Sequence, residues 1–153
     1  MASVASMVQE AVHDFRTFVH SDCGGHGGGG KLGRISHLPE QRPTDAAFLR
    51  WTAHCVFGTI LRYHQGDHRI WLYDESTQNY VRHYLNLRYK MAPSLISAGR
   101  TLQAAGFPLT ARCDLVFPEH AEARDPTQYL HLNSSLVAPL DENASTRQVW
   151  IPP

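Results

Sequence analysis

The chain has 153 residues, enough for one domain of ordinary size, with 42% hydrophobic and 18% charged residues. Lys plus Arg and Asp plus Glu are equal at 14 each. This balance argues against a nucleic-acid or anionic-membrane partner held by bulk charge. Ten histidines would turn the balance positive below about pH 6.

The first element is an amphipathic helix. Val4, Met7, Val8, Ala11, Val12 and Phe15 recur at intervals of three and four, and Ser3 can cap it. This opening carries acids and no basic region, so it does not read as a secretory signal. "TFVHS" predicts a short strand, ended by the glycines of "SDCGGHGGGG". Residues 24–43 show no period and read as a long loop. Thr44 or Asp45 caps a second helix, near 45–54, and "VFGTILRY" predicts a buried strand of β-branched and aromatic residues. Polar residues thus gather after each strand of a βα repeat.

A long helix is expected near 77–105. Pro93 should kink or split it, Gly106 should stop it, and Pro108 bars its resumption. "QYLHL", "SLVAPL" and "RQVWI" then read as short antiparallel strands. Such strands, without closure, would expose edges, which predicts a piece of a larger protein. No apolar run approaches the roughly 18 residues of a membrane span. Three cysteines at wide spacing are no disulfide framework. The chain reads as reduced or indifferent, with a single bridge left open, and Cys55 and Cys113 as small buried apolar groups. His54, His68, His83, His120 and His131 read as solvated, Trp51 as core, and Arg88 and Tyr89 as ties from the long helix to its neighbours.

Three readings compete for the glycine-rich stretch. His20, Cys23 and His26, with His13 earlier, are zinc-type ligands, but no second ligand pair has a familiar spacing. A phosphate cradle fails because Leu32 follows Lys31 and no helix opens from the glycines. The third reading is a barrel rim. In a (β/α)8 barrel the C-terminal strand ends converge on one site, and Asp22 and His64 each close a strand. Both side chains can exchange hydrogen bonds with a hydroxyl-rich ligand. Asp22 can equally cap the loop by accepting glycine amides.

These residues also resemble a family. "SDCGGH" resembles the "HDIGGF" turn of glycoside hydrolase family 31, the α-glucosidases and α-xylosidases. "RWTAHCVFGTILRYH" is similar to "RWxQxGAFxPxxRxH", sharing Arg50, Trp51, Phe57, Arg62 and His64. "RYKMAPSLISAGRTLQAAGFPL" resembles "RYxLLPYLYTLxxxAxxxGxPL", sharing Arg88, Tyr89, Pro93, Leu95, Gly106 and Pro108. "QYLHLNSSLVAPL" is similar to "QFxxGDxLLVAPV", and "VWIPP" to "VYLPxG". The matches run in order from about residue 18 to 153.

The resemblance implies an α/β fold: the last two βα units of a (β/α)8 TIM barrel over 1–106, then the opening strands of an antiparallel β-sandwich over 107–153. It implies a retaining α-glycosidase acting on α-linked oligosaccharides or glycosides, without metal or other cofactor. Retaining chemistry places two carboxyls roughly 5 to 5.5 Å apart. The nucleophile and acid/base motifs do not appear, and both carboxylates are expected upstream of Met1. No catalytic residue is therefore assigned, and no turnover is expected without the N-terminal remainder of the parent enzyme. His64 falls on the histidine that bonds hydroxyls of the −1 sugar. Asp22 falls on the acid that orders that subsite, and Arg62 on a rim arginine that holds local carboxylates. His26 stands where an aromatic walls the pocket, a departure that leaves the sugar open. Further departures are Ala53 for Gln, Cys55 for Gly, Thr59 for Pro, and Leu132-Asn133 for Gly-Asp. The alternative is a non-catalytic carbohydrate-binding or assembly piece.

Overall fold

The computed structural model describes residues 7–9, 11, 16–24, 42–63, 69–141 and 143–153. Residues 7–9 and 11 are helical, with Met7, Val8 and Ala11 fully buried, as the apolar spacing requires. Helix α1 spans Asp45–Val56, and the Thr44 side chain accepts from the Ala47 amide as its N-cap. Helix α2 spans Glu75–Ala104, 30 residues in all, and starts on an Asp74 cap. Thr77 donates its hydroxyl to Asp45 at 2.7 Å, tying the two helix starts together.

Pro93 does not split α2. It lies on an exposed turn, where water can serve the carbonyl that a proline nitrogen leaves without a partner. Gly106 ends the helix at φ +70°, and the Phe107 amide returns to the Leu102 carbonyl at 2.8 Å. Only glycine takes that left-handed turn without strain.

Three short strands follow: β1 Thr110–Arg112, β2 Tyr129–His131 and β3 Ser135–Val137. They form one antiparallel sheet in the order β1-β2-β3, with Thr110 opposite His131 and Tyr129 opposite Val137. The β2–β3 turn holds Leu132 and Asn133 at φ 55° and 54°, a conformation that costs a leucine more than a glycine. "RQVWI" is not a strand. The Gln128 side chain instead pairs with both backbone groups of Trp150, at 3.0 and 3.1 Å, in place of a ladder.

The two strands expected before α2 are also corrected. "TFVHS" and "VFGTILRY" lie side by side, but the isolated β-bridge found there among the described residues is parallel and falls beyond "TFVHS", from Cys23 to Tyr63. Val56 belongs to α1, and Phe57 to Ile60 turn back. The Thr59 hydroxyl stands in for ladder bonds. It accepts from the Val19 amide at 2.6 Å and donates to the Val19 carbonyl at 2.7 Å. The turn's own carbonyls go elsewhere: the Arg88 guanidinium takes those of Val56 (3.0 Å), Gly58 and Thr59 (2.7 Å). Arg88 therefore ties α2 to this turn, whereas Tyr89 is 79% exposed and ties nothing down.

Three apolar clusters hold these parts together. Met7, Val8, Ala11 and Val19 pack on Tyr129 and Val137, so one core joins the amino-terminal helix to the sheet. Phe48 stacks on Tyr73 at 4.0 Å and on Tyr63 at 5.2 Å between the helices. Burying that one ring contributes roughly 1.5 to 3 kcal/mol. Cys113, Ala123 and Leu130 pack beneath Trp150 and Phe117 on the other face of the sheet.

His54 and His131, expected in solvent, are 3% and 2% exposed. The Tyr129 hydroxyl lies 3.4 Å from Nδ1 of His54, and burial raises the pKa of the phenol. Nε2 of His54 is buried without a partner among the described residues, as are both nitrogens of His131. Burial lowers the pKa of each to about 4; for His131 the nearby Arg88 charge adds to the effect.

Two outcomes follow from these contacts. Replacing Arg88 with Met should lower unfolding free energy by on the order of 3 kcal/mol, since buried carbonyls lose charged donors. Urea titration measures this, and a loss below about 1 kcal/mol would contradict the tie. For the histidines, the unfolded chain takes up protons near pH 6.5 and the folded chain only near 4. Their contribution is therefore full above pH 6.5, falls as pH drops from 6.5 to 4, and is flat below. Each contributes on the order of 3 kcal/mol across that window. Urea midpoints from pH 8 to 4 should show the decline, and H54Q/H131Q should flatten it.

Candidate functional site

The segment before the glycines and the segment after α1 end at the same edge. The Cys23 amide donates to the Arg62 carbonyl at 3.2 Å, which fixes the neighbours Asp22 and Arg62 together. Arg62 returns its guanidinium to Asp22: Nε at 3.2 Å and Nη2 at 2.9 Å both donate to Oδ1. The Asp22 side chain is 22% exposed and that of Arg62 52%. Nδ1 of His20 lies 3.7 Å from the same Oδ1, so an imidazole and a guanidinium flank one carboxylate. This edge can accept and donate hydrogen bonds to a polar ligand from side chains already held in position.

Tyr63 supports the edge from below. Its hydroxyl pairs with Thr52 of α1 at 2.9 Å, and burial raises its pKa despite that bond. Arg50, at the start of the same motif, reaches the Ala144 carbonyl at 3.2 Å and so works at the far end of the fold. His26 and His64 lie outside the described residues, so Asp22 and Arg62 are the expected site residues whose positions are described.

Sequence reasoning missed one feature here. Cys23 and Cys55 form a disulfide, and Cys113 is the free, buried thiol. The single bridge left open by the sequence is this one, and the reading of Cys55 as a plain apolar filler is corrected. The fold brings a residue next to Asp22 against the last turn of α1, a contact between positions 32 apart. A signal was available: Cys23 and Cys55 both stand where the family's motifs carry other residues. Cys23 also ceases to be a zinc thiolate, since its sulfur is bonded to Cys55. Among the described residues no group of three or more His, Cys, Asp or Glu could hold a metal ion. No helix there is long and apolar enough to cross a membrane.

Comparison with known proteins now decides the family. Residues 2–98 match the TIM-barrel domain of glycosyl hydrolases family 31. The chain belongs to glycoside hydrolase family 31. Among solved structures it is similar to the family 31 α-xylosidase from a soil metagenome, determined in complex with xylose. Identity is 25% and the TM-score 0.69, over 86% of this chain and 22% of that enzyme. The chain thus spans about a fifth of the length of that relative. No curated protein matches it. The family 31 resemblance drawn from "SDCGGH" and the "RW…RYH" stretch is therefore established, and with it a hydrolase family built on a TIM barrel.

The Asp22–Arg62 pair is half in solvent, so its coupling should be small. A double-mutant cycle with D22N and R62Q should give under about 1 kcal/mol, most of it lost in molar salt. A larger, salt-insensitive coupling would mean that the pair is sealed from water.

Proposed function

We propose that this chain supplies one wall of the sugar-binding mouth of a retaining α-glycosidase. In this reading residues 1–106 are the last two βα units of the barrel and 107–153 open the β-sandwich that follows. The substrate is an α-linked glucoside or xyloside. Asp22 accepts a hydroxyl of the −1 sugar, Arg62 fixes the direction of that carboxylate, and His64 and His26 complete the wall. The nucleophile and acid/base carboxylates belong to the portion of the enzyme outside this chain's match, and the N-terminal remainder is its partner.

One observation carries the reading. Cys23 is bridged to Tyr63 and its amide donates to the Arg62 carbonyl, so Asp22 and Arg62 stand at one edge. The Arg62–Asp22 bonds at that edge support the assignment. So does the family 31 match over residues 2–98. The xylose complex of the similar α-xylosidase makes xylose a reasonable first probe.

The division of labour has a chemical basis. Glycoside cleavage builds positive charge on the ring, and two carboxylates on opposite faces serve it. The remaining hydroxyls need donors and acceptors that are already oriented, since a misplaced sugar loses most of the rate. A carboxylate held by a guanidinium and a neighbouring imidazole fits that second task.

Calorimetry should therefore detect xylose binding to the isolated chain, and His64→Ala should abolish it. No p-nitrophenol should be released from p-nitrophenyl α-xyloside above the buffer rate. Catalysed release would put the cleaving carboxylates within these residues. Equal binding by the H64A variant would remove His64 from the wall.

A further inference from the structure

The Cys23–Cys55 disulfide sits directly behind the edge that carries Asp22. Cys23 is fully buried and Cys55 is 2% exposed. The Ser21 carbonyl oxygen lies 3.9 Å and 3.8 Å from the two sulfurs. Three consecutive residues are thus engaged at one place: Ser21 against the sulfurs, Asp22 on Arg62, and Cys23 in the bond itself. The second cysteine lies in the last turn of α1, one residue before Val56, whose carbonyl Arg88 holds. The covalent bond therefore joins the Asp22 edge to the turn anchored on α2.

Both cysteines depart from the motifs that the chain resembles. The motifs that it resembles carry Ile in "HDIGGF" and Gly in "QxGAF" at these positions. Besides the disulfide, the two segments are joined along this edge by the Cys23–Tyr63 bridge, the Ile60 amide on the Val19 carbonyl at 3.3 Å, the Thr59 hydroxyl on Val19 and the Arg62–Asp22 bonds.

We propose that the Cys23–Cys55 disulfide is a redox-dependent fastener of the Asp22–Arg62 edge, ordered when oxidised and loosened when reduced. A consequence for sugar affinity rests on the glycosidase reading above; the fastening itself does not. The step balances with a dithiol as reductant. Its thiolate attacks one sulfur, the Cys23–Cys55 bond breaks, and a mixed disulfide forms. The second thiol resolves it, leaving two protein thiols and an oxidised, cyclic reductant, with two electrons and two protons delivered. Bonded sulfurs sit at about 2 Å, while unbonded atoms keep about 3.5 to 4 Å apart. In a site this buried the two thiols must separate, and Cys23 is the movable partner because Cys55 is built into α1. Asp22 moves with it.

The test uses the whole chain, air-oxidised and then reduced with dithiothreitol. Denatured without reductant, the oxidised chain should take up one maleimide, on Cys113, and three after reduction. Three labels without reduction would overturn the bond. Amide hydrogen exchange then reads the fastening. Residues 19–24 and 58–63 should exchange at least tenfold faster on reduction, while Glu75–Ala104 stays unchanged. Equal exchange in both states overturns the proposal. So does an equal rise along the long helix, because the bond would then hold the whole fold rather than this edge. C55A should behave as the reduced chain and ignore dithiothreitol; oxidised-like exchange in C55A also overturns it. Xylose affinity, measured alongside, should fall several-fold on reduction. If xylose binds in neither state, the glycosidase reading falls, and exchange alone still judges the fastener.

Discussion

The fold around the site depends on where the carbonyls after α1 find donors. Val56, Gly58 and Thr59 leave the helix without a strand ladder to join, and buried carbonyls without partners are costly. Arg88 supplies that need from the middle of α2. A guanidinium suits the task because its planar fork presents several donors in fixed directions. Everything that follows the turn, including Arg62 and the bridge at Tyr63, inherits its position from this anchor. Burial of the same group lowers its pKa, yet it stays a cation because an arginine starts so high.

The sheet has two unlike faces, and each explains part of the molecule. Ala111, Leu130 and Leu136 face the small core closed by Phe117 and Trp150. The opposite face carries Thr110, Tyr129, His131 and Val137 toward the helices and Val19. That second face is rich in polar atoms for an interior surface, and Thr110 Oγ1 joins the histidine nitrogens as a buried group without a described partner. Such groups weaken the contact between sheet and helices, and neutral histidines cost less there than charged ones. The carboxy-terminal tail is held by polar bonds instead. Arg147 binds Asp125, Thr127 and the Pro139 carbonyl, and Gln128 clasps Trp150.

Much of this was legible from local chemistry. The Thr44 cap, the Gly106 stop and the strands around Tyr129 and Leu136 follow from rules that act over a few residues. The family was legible too, because Arg50, Trp51, Arg62, Arg88 and Tyr89 stand in order at the family's spacing. "VFGTILRY" was misread for a physical reason. A β-branched run suits a strand, but a strand also needs a neighbour along its length. Thr59 and Arg88 satisfied the polar groups here without one. His54 and His131 were misread because a polar letter on a helix or strand does not say which side the tertiary fold will cover.

The sequence by itself determined the helices, their caps and stops, the antiparallel hairpin and the family, since each is written in contacts or motifs close along the chain. Tertiary structure decided that Cys23 meets Cys55, that Asp22 is the carboxylate Arg62 closes on, which carbonyls Arg88 holds, and that two histidines are sealed from water. Those four join residues far apart in the chain, and their partners are chosen by packing, which no local pattern records.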